Sequence, residues 1–581
     1  MNREAPTRRS DEQRCETLIT RFYRQSINDS QGTGHFCTHG SHAASRMCLA
    51  SEYRYPDLWS AAQSVRSELR KRGLSRGDVL AMAVPSGPAA VATLLAAWAD
   101  AIAVSVLPSD VSARTGRMAP AKLRKMLEVL QPTLLIASID VLESVGQGVC
   151  PRISDEQVYQ WMAGAPLAEP PLAELYDTAI LQFTSGSSGL PKAVVVDHRM
   201  LAANCEGIAT RIELEREDRM VSWLPLNHDM GLSAITLALW GGIDLVLIPT
   251  QAYARQPLVW LDCISRYRGT LSPAPASAYA LVARFAPMLA RRDLDLSSWR
   301  YAWAGAEPVF DRPLRDFQSL LAPYGLRDNV VQPAYGMAET VVATTLNRPG
   351  NPYRVIDAAK AEFESAGIVS AAHDADVETL RYVSNGRPID GIEIRVIDDS
   401  GTPLPERNVG QIQARGTSVL GGYFSKDNSV IDADGWYCTG DVGFLSDGEV
   451  FVSARIKDLI TRGGLNISPH HLELVVEREL ELRPGSVAVF SVIDARDDRE
   501  RVFAVVAGRQ DGETGALRQR IARAVVEEAG LQIDVIDFVT AVDLPKTTSG
   551  KIQRSELRNR YRHWTPPVDR PISSEMETLD A

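Results

Sequence analysis

Residues 89 to 107 read AAVATLLAAWADAIAVSVL, an apolar run approaching the length needed to cross a membrane. Asp100 sits inside it and Ala dominates it, so it reads as a buried helix running into a buried strand, and no membrane span is expected. Its neighbours support this. In PDLWSAAQSVRSELRKRG, Leu58, Ala61, Ala62, Val65 and Leu69 share one helical face, with Asp57 placed to cap and Gly73 placed to terminate. DVLAMAVP and AIAVSVLP then flank the apolar helix as strands. This is a strand–helix–strand rhythm, which implies a parallel sheet packed with helices. The alternation returns at DTAILQFTS, DLVLIPT, GTLSPAP and WRYAWAGA, so the fold class expected is α/β, with layered sheets through much of the first 350 residues. Ligands in such folds gather at the carboxyl ends of the strands.

From about Arg381 the texture changes to short β-like pieces, IEIRVIDD, GQIQARG, GWYCTGDVGFL and EVFVSAR, which suggest a β subdomain closing the large domain. After ARIKDLI a compact α+β segment follows: HHLELVVEREL and ALRQRIARAVVEEAG as helices, SVAVFSVI and RVFAVVAGR as strands. The expected organisation is a large domain over 1–456, a small mobile α+β domain over 457–563 and a disordered polar tail over 564–581.

With 581 residues, 45% of them hydrophobic, the chain can bury more than one core. A net charge of −11 argues against a broad nucleic-acid surface, which needs clustered Lys and Arg. The seven Cys form no C-x-x-C pair, which suits a reducing cytoplasm. His35, Cys37, His39, His42 and Cys48 share a short window, but their spacings match no standard zinc site and the stretch reads as a turn between strands. The first residues lack an apolar core of signal-peptide length.

FTSGSSGLPKAVVV, residues 183 to 196, sets a polar loop between two apolar runs. It is not a Walker loop, because Gly189 is followed by Leu-Pro-Lys-Ala, and it holds no G-x-S-x-G nucleophile elbow. It can aim backbone N–H groups and hydroxyls at an anion, with Lys192 as a movable positive charge. A solvated surface loop fits this stretch alone equally well.

Six stretches in order break that tie. FTSGSSGLPKAVVV, AWAGAEPV at 302, PAYGMAET at 333, WYCTGDVGFL at 436, ARIKDLITRGGLNISPHHLE at 454 and LPKTTSGKIQRSEL at 544 resemble the motifs of the adenylate-forming superfamily. That superfamily includes acyl-CoA synthetases, peptide-synthetase adenylation domains, luciferases and fatty acyl-AMP ligases, and the resemblance spans roughly residues 50 to 560. It implies that ATP and a carboxylate form an acyl adenylate and pyrophosphate. Lys551 matches the mobile catalytic Lys, bridging the carboxylate and the α-phosphate. Thr184, Ser185, Gly186, Ser187, Ser188, Gly189 and Lys192 match the loop that holds the β and γ phosphates. Glu339 matches the Mg²⁺ ligand; Ala338 stands before it where many members carry Thr, and at that point the sequence resembles fatty acyl-AMP ligases. Tyr335 stacks on adenine in this reading, Gly305, Ala306 and Glu307 line its edge, and Gly336 and Met337 complete the nucleotide site. Asp441 accepts the ribose hydroxyls with help from Arg455, and Lys457 occupies the hinge position. His228 matches the gate between nucleotide and acyl pocket, and Asp229 reads as a structural acid. Gly463 and Gly464 match the loop that meets the adenylate once the small domain has swung over, while His470 and His471 read as a solvated helix start.

Within the superfamily, WLPLNHDMGL, AYGMAET, RIKDLITRGGLNISP, TTSGKIQR and the extra segment at 354–388 are most similar to fatty acyl-AMP ligases. That likeness implies transfer of the acyl group to the phosphopantetheine thiol of an acyl carrier protein. Ala193 and Ala454 stand where Gly is common, and the amino-terminal hundred residues resemble the family only loosely. The alternatives are an acyl-CoA synthetase using free coenzyme A, and a silent adenylate-binding protein. Trp223, Leu232 and SPAPASAYA are candidates for the acyl pocket.

Overall fold

The computed structural model describes residues 16–28, 32–38, 48–110, 120–146, 150–184, 191–370, 378–425, 430–462, 465–483, 485–494, 499–508, 514–529, 531–546 and 552–562. The chain divides into two compact units, Met1–Ile456 and Lys457–Ala581.

In the first unit the apolar run becomes the helix Pro88–Ala99, buried on every face, followed by the strand Ala103–Val106. Among the described residues no helix is long and apolar enough to cross a membrane. Asp100, which closes the helix, is buried between two guanidinium groups. Arg66 reaches it through Nε at 2.8 Å and Nη2 at 2.6 Å, and Arg70 through Nε at 2.7 Å. Burial opposes ionisation of Asp100, but Arg70 and Arg66 outweigh it and hold the carboxyl below its ordinary range. Removing one partner of such a group typically destabilises by about 3–5 kcal/mol, because the other charge stays buried. The cluster therefore ties this helix to the helix Tyr55–Lys71 that carries both arginines.

That helix buries Leu58, Ala61, Ala62, Val65 and Leu69, and Gly73 follows it with a φ of +84°. Asp57 does not cap it. The strand Cys48–Arg54 runs straight into the helix, so the chain turns at Arg54 and Asp57 falls inside the first turn, where its charge still complements the helix dipole.

Two large sheets organise the unit. Among the described residues one has six strands, in the order Arg152–Ser154, Leu134–Ala137, Val79–Ala83, Ala103–Val106, Thr178–Thr184, Lys192–Asp197. All neighbours are parallel except the last two, which are antiparallel. The strands on either side of the polar loop thus pair antiparallel, a pairing that needs no crossover connection. Among the described residues the second sheet has nine strands, with Arg219–Ser222, Leu271–Pro275, Tyr301–Gly305 and Val331–Gly336 side by side in its parallel centre. Thr33–Thr38 and Cys48–Arg54 pair antiparallel at its edge, while His39 and His42 lie outside the described residues.

The β pieces after Arg381 build a four-stranded antiparallel sheet from Ile392–Ile397, Gly410–Gly416, Tyr437–Ser446 and Glu449–Arg455. The last two strands are joined by Asp447-Gly448, both at positive φ (52° and 72°), the turn whose twist matches a tight hairpin. The register that follows sets Asp441 opposite Arg455. The extra segment supplies the paired strands Val355–Ala359 and Thr379–Val383 and the helix Lys360–Ala366. Phe363 stacks on Tyr382, which meets Phe444, so the segment is packed onto the β sheet by an aromatic cluster.

The second unit sets the helices Pro469–Glu479, Thr514–Ala529 and Arg554–Tyr561 with a three-stranded sheet of Val487–Asp494, Arg499–Ala507 and Val535–Val539. Its first helix does not begin in solvent as its two His suggest. The Arg554 guanidinium donates to both oxygens of buried Glu473, at 2.7 and 2.6 Å, and to His470 Nδ1 at 2.9 Å. His470 is thus drawn inward by the ion pair of Glu473 and Arg554, two residues 81 positions apart in sequence. Lys551, Gly463, Gly464 and the tail 564–581 lie outside the described residues.

Candidate active site

The six-stranded sheet, the nine-stranded sheet and the β subdomain each send residues to one region of the first unit. Thr184 ends its strand directly before the polar loop, and Lys192 begins the strand after it. Ser185, Gly186, Ser187, Ser188 and Gly189 lie outside the described residues. Gln182, buried on the same strand, donates to the Asn227 carbonyl at 2.8 Å and so ties this strand to the segment carrying His228. His228 is the residue before the helix Asp229–Gly241, and Asp229 accepts from the Met230 N–H at 2.7 Å. Asp229 therefore serves the first turn of its helix, consistent with a structural acid.

The strand Tyr301–Gly305 is followed by Ala306, at a φ of +65°, which turns the chain sharply beside the strand Val331–Gly336. Gly305 lies so close to that neighbour that a Cβ there would meet the Ala334 carbonyl oxygen at 3.1 Å. Glu307 turns its carboxylate away to accept the Ser277 N–H, at the start of the helix Ala276–Ala283.

After Tyr335 the chain folds back on itself. A Cβ on Gly336 would fall 1.8 Å from the Val342 carbonyl oxygen, so only glycine fits. Val341 holds φ 69° and ψ −61°, and the Val342 N–H reaches the Thr340 carbonyl at 2.9 Å, forming a γ-turn. A β-branched residue in that conformation carries strain of order 1–3 kcal/mol, which concentrates at functional sites. Buried Asn204 braces the turn, donating to the Thr340 and Ala343 carbonyls, both at 2.9 Å, and to Ser418 at 3.3 Å. Met337 and Ala338 are buried beneath it.

Glu339 projects from this braced turn. Burial raises its carboxyl above the ordinary range, and the negative charge of Asp229 adds to this, while the Tyr423 hydroxyl and Arg455 pull the other way. A hard cation with oxygen ligands would suit the Glu339 carboxylate, since it would offset the cost of the carboxylate's burial.

Asp441 is the second focus. Its Oδ2 accepts from the Tyr335 hydroxyl at 2.8 Å, and its Oδ1 meets Arg455 Nε at 2.9 Å across the hairpin. Burial and the neighbouring Asp441 keep the Tyr335 phenol protonated, so it acts as a donor. The region thus gathers Tyr335, Glu339, Asp441, Arg455, Lys192 and Asp229 from four stretches of chain. Trp223, named for the acyl pocket, stacks on Tyr253 with ring centroids 3.4 Å apart.

Two tyrosines join the site that the sequence did not single out. Tyr423 donates to Glu339 Oε1 at 3.2 Å and its ring lies under Lys192 Nζ, 5.2 Å from the centroid. Tyr437 meets the Tyr423 hydroxyl at 3.4 Å. Tyr437 lies within the WYCTGDVGFL motif and Tyr423 follows the Gly421-Gly422 pair outside the six motifs, and neither was singled out by its residue type; the pairing of distant strands brings Tyr423 in.

Such a fold and site define a nucleotide-binding enzyme of the adenylate-forming kind. The family model described as AMP-binding enzyme matches residues 39–424, and the chain belongs to that family. A medium-chain-fatty-acid–[acyl-carrier-protein] ligase, JamA, of Moorena producens is 29% identical over 88% of this chain and 90% of its own. A Caulobacter vibrioides protein provisionally named an acyl-CoA synthetase is 35% identical over 69% of this chain and 70% of its own. A solved structure from a study of fatty acyl-adenylate ligases from E. coli and L. pneumophila superposes with a TM-score of 0.85 at 29% identity, covering 94% of this chain and 98% of that one. The mixed α/β architecture, with a large amino-terminal and a smaller carboxyl-terminal domain, is that of adenylate-forming enzymes.

Proposed function

We propose that the protein activates a fatty or polyketide-like carboxylic acid with ATP and passes the acyl group to the phosphopantetheine thiol of an acyl carrier protein. The observation that carries the adenylation step is Asp441, buried and held between Tyr335 and Arg455 with both carboxylate oxygens oriented. A vicinal diol such as ribose suits a carboxylate presented in this way.

In the first half-reaction a carboxylate oxygen attacks the α-phosphorus and pyrophosphate leaves. Both reactants are anionic, so positive charge must be concentrated where they meet. Lys551, from the second unit, is the proposed source of that charge at the α-phosphate. Lys192 and Thr184, with the loop between them, are proposed to hold the leaving phosphates. Glu339 is the residue that would hold a magnesium ion, which when bound neutralises phosphate oxygens. His228 is proposed to separate the nucleotide from the acyl chain. In the second half-reaction the thiol sulfur attacks the acyl carbon and AMP leaves.

The likeness to a fatty-acid–carrier-protein ligase and the extra segment at 354–388, whose described strands and helix include residues packed on the β sheet, support the carrier as acceptor. The Caulobacter relative's name favours coenzyme A as the second reading. The test is pyrophosphate release from ATP with a panel of carboxylic acids, followed by free coenzyme A or phosphopantetheinylated carrier proteins. Acid-dependent release is expected, with thioester formed on a carrier. Robust thioester on free coenzyme A overturns the acceptor, and absence of release with every acid favours a silent adenylate-binding protein.

A further inference from the structure

Tyr423 joins two groups that belong to opposite ends of the proposed phosphate site. Its hydroxyl donates to Glu339 Oε1 at 3.2 Å, and its ring face lies 5.2 Å from Lys192 Nζ. The backbone holds both contacts in place. Residues 422–424 run antiparallel to the strand Lys192–Asp197, with Val194 opposite Tyr423, and the Phe424 N–H meets the Ala193 carbonyl at 2.8 Å. On the other side the Leu420 N–H reaches the Glu339 carbonyl at 2.8 Å. The segment is thus bonded to the strand that starts with Lys192 and to the turn that presents Glu339. A half-buried tyrosine supplies what neither Phe nor an aliphatic residue does, a donor for the carboxylate together with a π face for the ammonium.

We propose that Tyr423 is a positioning residue that aims the Glu339 carboxylate at the metal and the Lys192 ammonium at the leaving pyrophosphate, so that both charges meet the same phosphates. This rests on the adenylation reading. The two functions separate by substitution, because Tyr423→Phe keeps the ring and loses the hydroxyl, whereas Tyr423→Leu loses both.

The experiment measures ATP binding by calorimetry, without acid, over a series of Mg²⁺ concentrations, together with the KM for pyrophosphate in the reverse reaction. For Tyr423→Phe the Mg²⁺ concentration giving half-maximal ATP binding is expected to rise roughly tenfold, the scale of one hydrogen bond to a charged group, with the KM for pyrophosphate unchanged. Tyr423→Leu is expected to show the same metal shift and a KM for pyrophosphate raised roughly two- to fivefold, the scale of an exposed cation–π contact. A wild-type Mg²⁺ requirement in Tyr423→Phe, or a pyrophosphate KM in Tyr423→Leu equal to that of Tyr423→Phe, overturns the proposal. So does a lowered melting temperature with neither quantity altered, which marks a merely structural residue. Failure of the wild-type protein to release pyrophosphate with any acid sinks the adenylation reading itself and this proposal with it. Normal wild-type release with unaltered variants sinks the Tyr423 proposal alone.

Discussion

Lys551→Ala is expected to slow acid-dependent pyrophosphate release by roughly 100- to 1000-fold while leaving ATP binding nearly intact. The magnitude follows from what the residue is proposed to do. A carboxylate and an α-phosphate repel each other more as they approach, so an ammonium between them does little for ATP alone and much for the transition state. Losing one such preorganised contact typically raises a barrier by about 2.7–4 kcal/mol. A group that helps only at the transition state lowers kcat and kcat/KM together and leaves the ground-state complex alone. The check is therefore paired: the rate of pyrophosphate release with acid present, and the Kd for ATP with acid absent. Near-normal release contradicts the role, and a large loss of ATP affinity assigns Lys551 to binding instead.

Asp441→Ala has the opposite signature. Two oriented carboxylate oxygens are lost from the proposed ribose site, and the Kd for ATP is expected to rise by about 2–3 kcal/mol, roughly 30- to 150-fold, on the scale of hydrogen bonds to a charged group. Part of any such loss could come from disturbed packing, because Asp441 is buried and its partners Tyr335 and Arg455 are left facing a gap. Comparison with 2′,3′-dideoxy-ATP separates the two causes. The wild-type protein is expected to bind the dideoxy nucleotide much more weakly than ATP, and Asp441→Ala is expected to bind both alike. If affinity for ATP is unchanged, Asp441 is removed from the ribose site. If the variant still discriminates against the dideoxy nucleotide, another group reads the sugar.

Local patterns made much of this fold legible. The apolar run at 89–107 and its amphipathic neighbour announce a buried helix and strand, because periodicity and composition report burial directly. What they could not report depends on partners distant in sequence. Asp100 looks like an interruption of the run, and its function as the anchor of Arg66 and Arg70 appears only when two helices pack. Asp57 looks like a cap until the preceding strand moves the turn back to Arg54. The polar loop reads as the end of a strand in a parallel sheet, yet the strand that follows it pairs antiparallel with the one before it. His470 looks solvated until Arg554 draws it in.

The same division holds at the candidate site. Tyr335, Glu339, Asp441 and Arg455 stand in ordered motifs whose residue types already suit a nucleotide and a metal. Tyr423 stands in none, and its contacts depend on strand pairing between residues more than 200 apart in the chain. Glu307 has a contact its motif does not announce: its carboxylate accepts the Ser277 N–H at the start of the helix Ala276–Ala283.

The central claim is that a substrate carboxylate attacks the α-phosphorus of ATP. Its most direct test is oxygen transfer from an acid labelled with ¹⁸O in its carboxylate, followed through a complete turnover to the thioester. The account predicts one heavy oxygen in the AMP released and none in the pyrophosphate. Label appearing instead in inorganic phosphate, with ADP as the nucleotide product, would mean attack at the γ-phosphorus and would contradict the account.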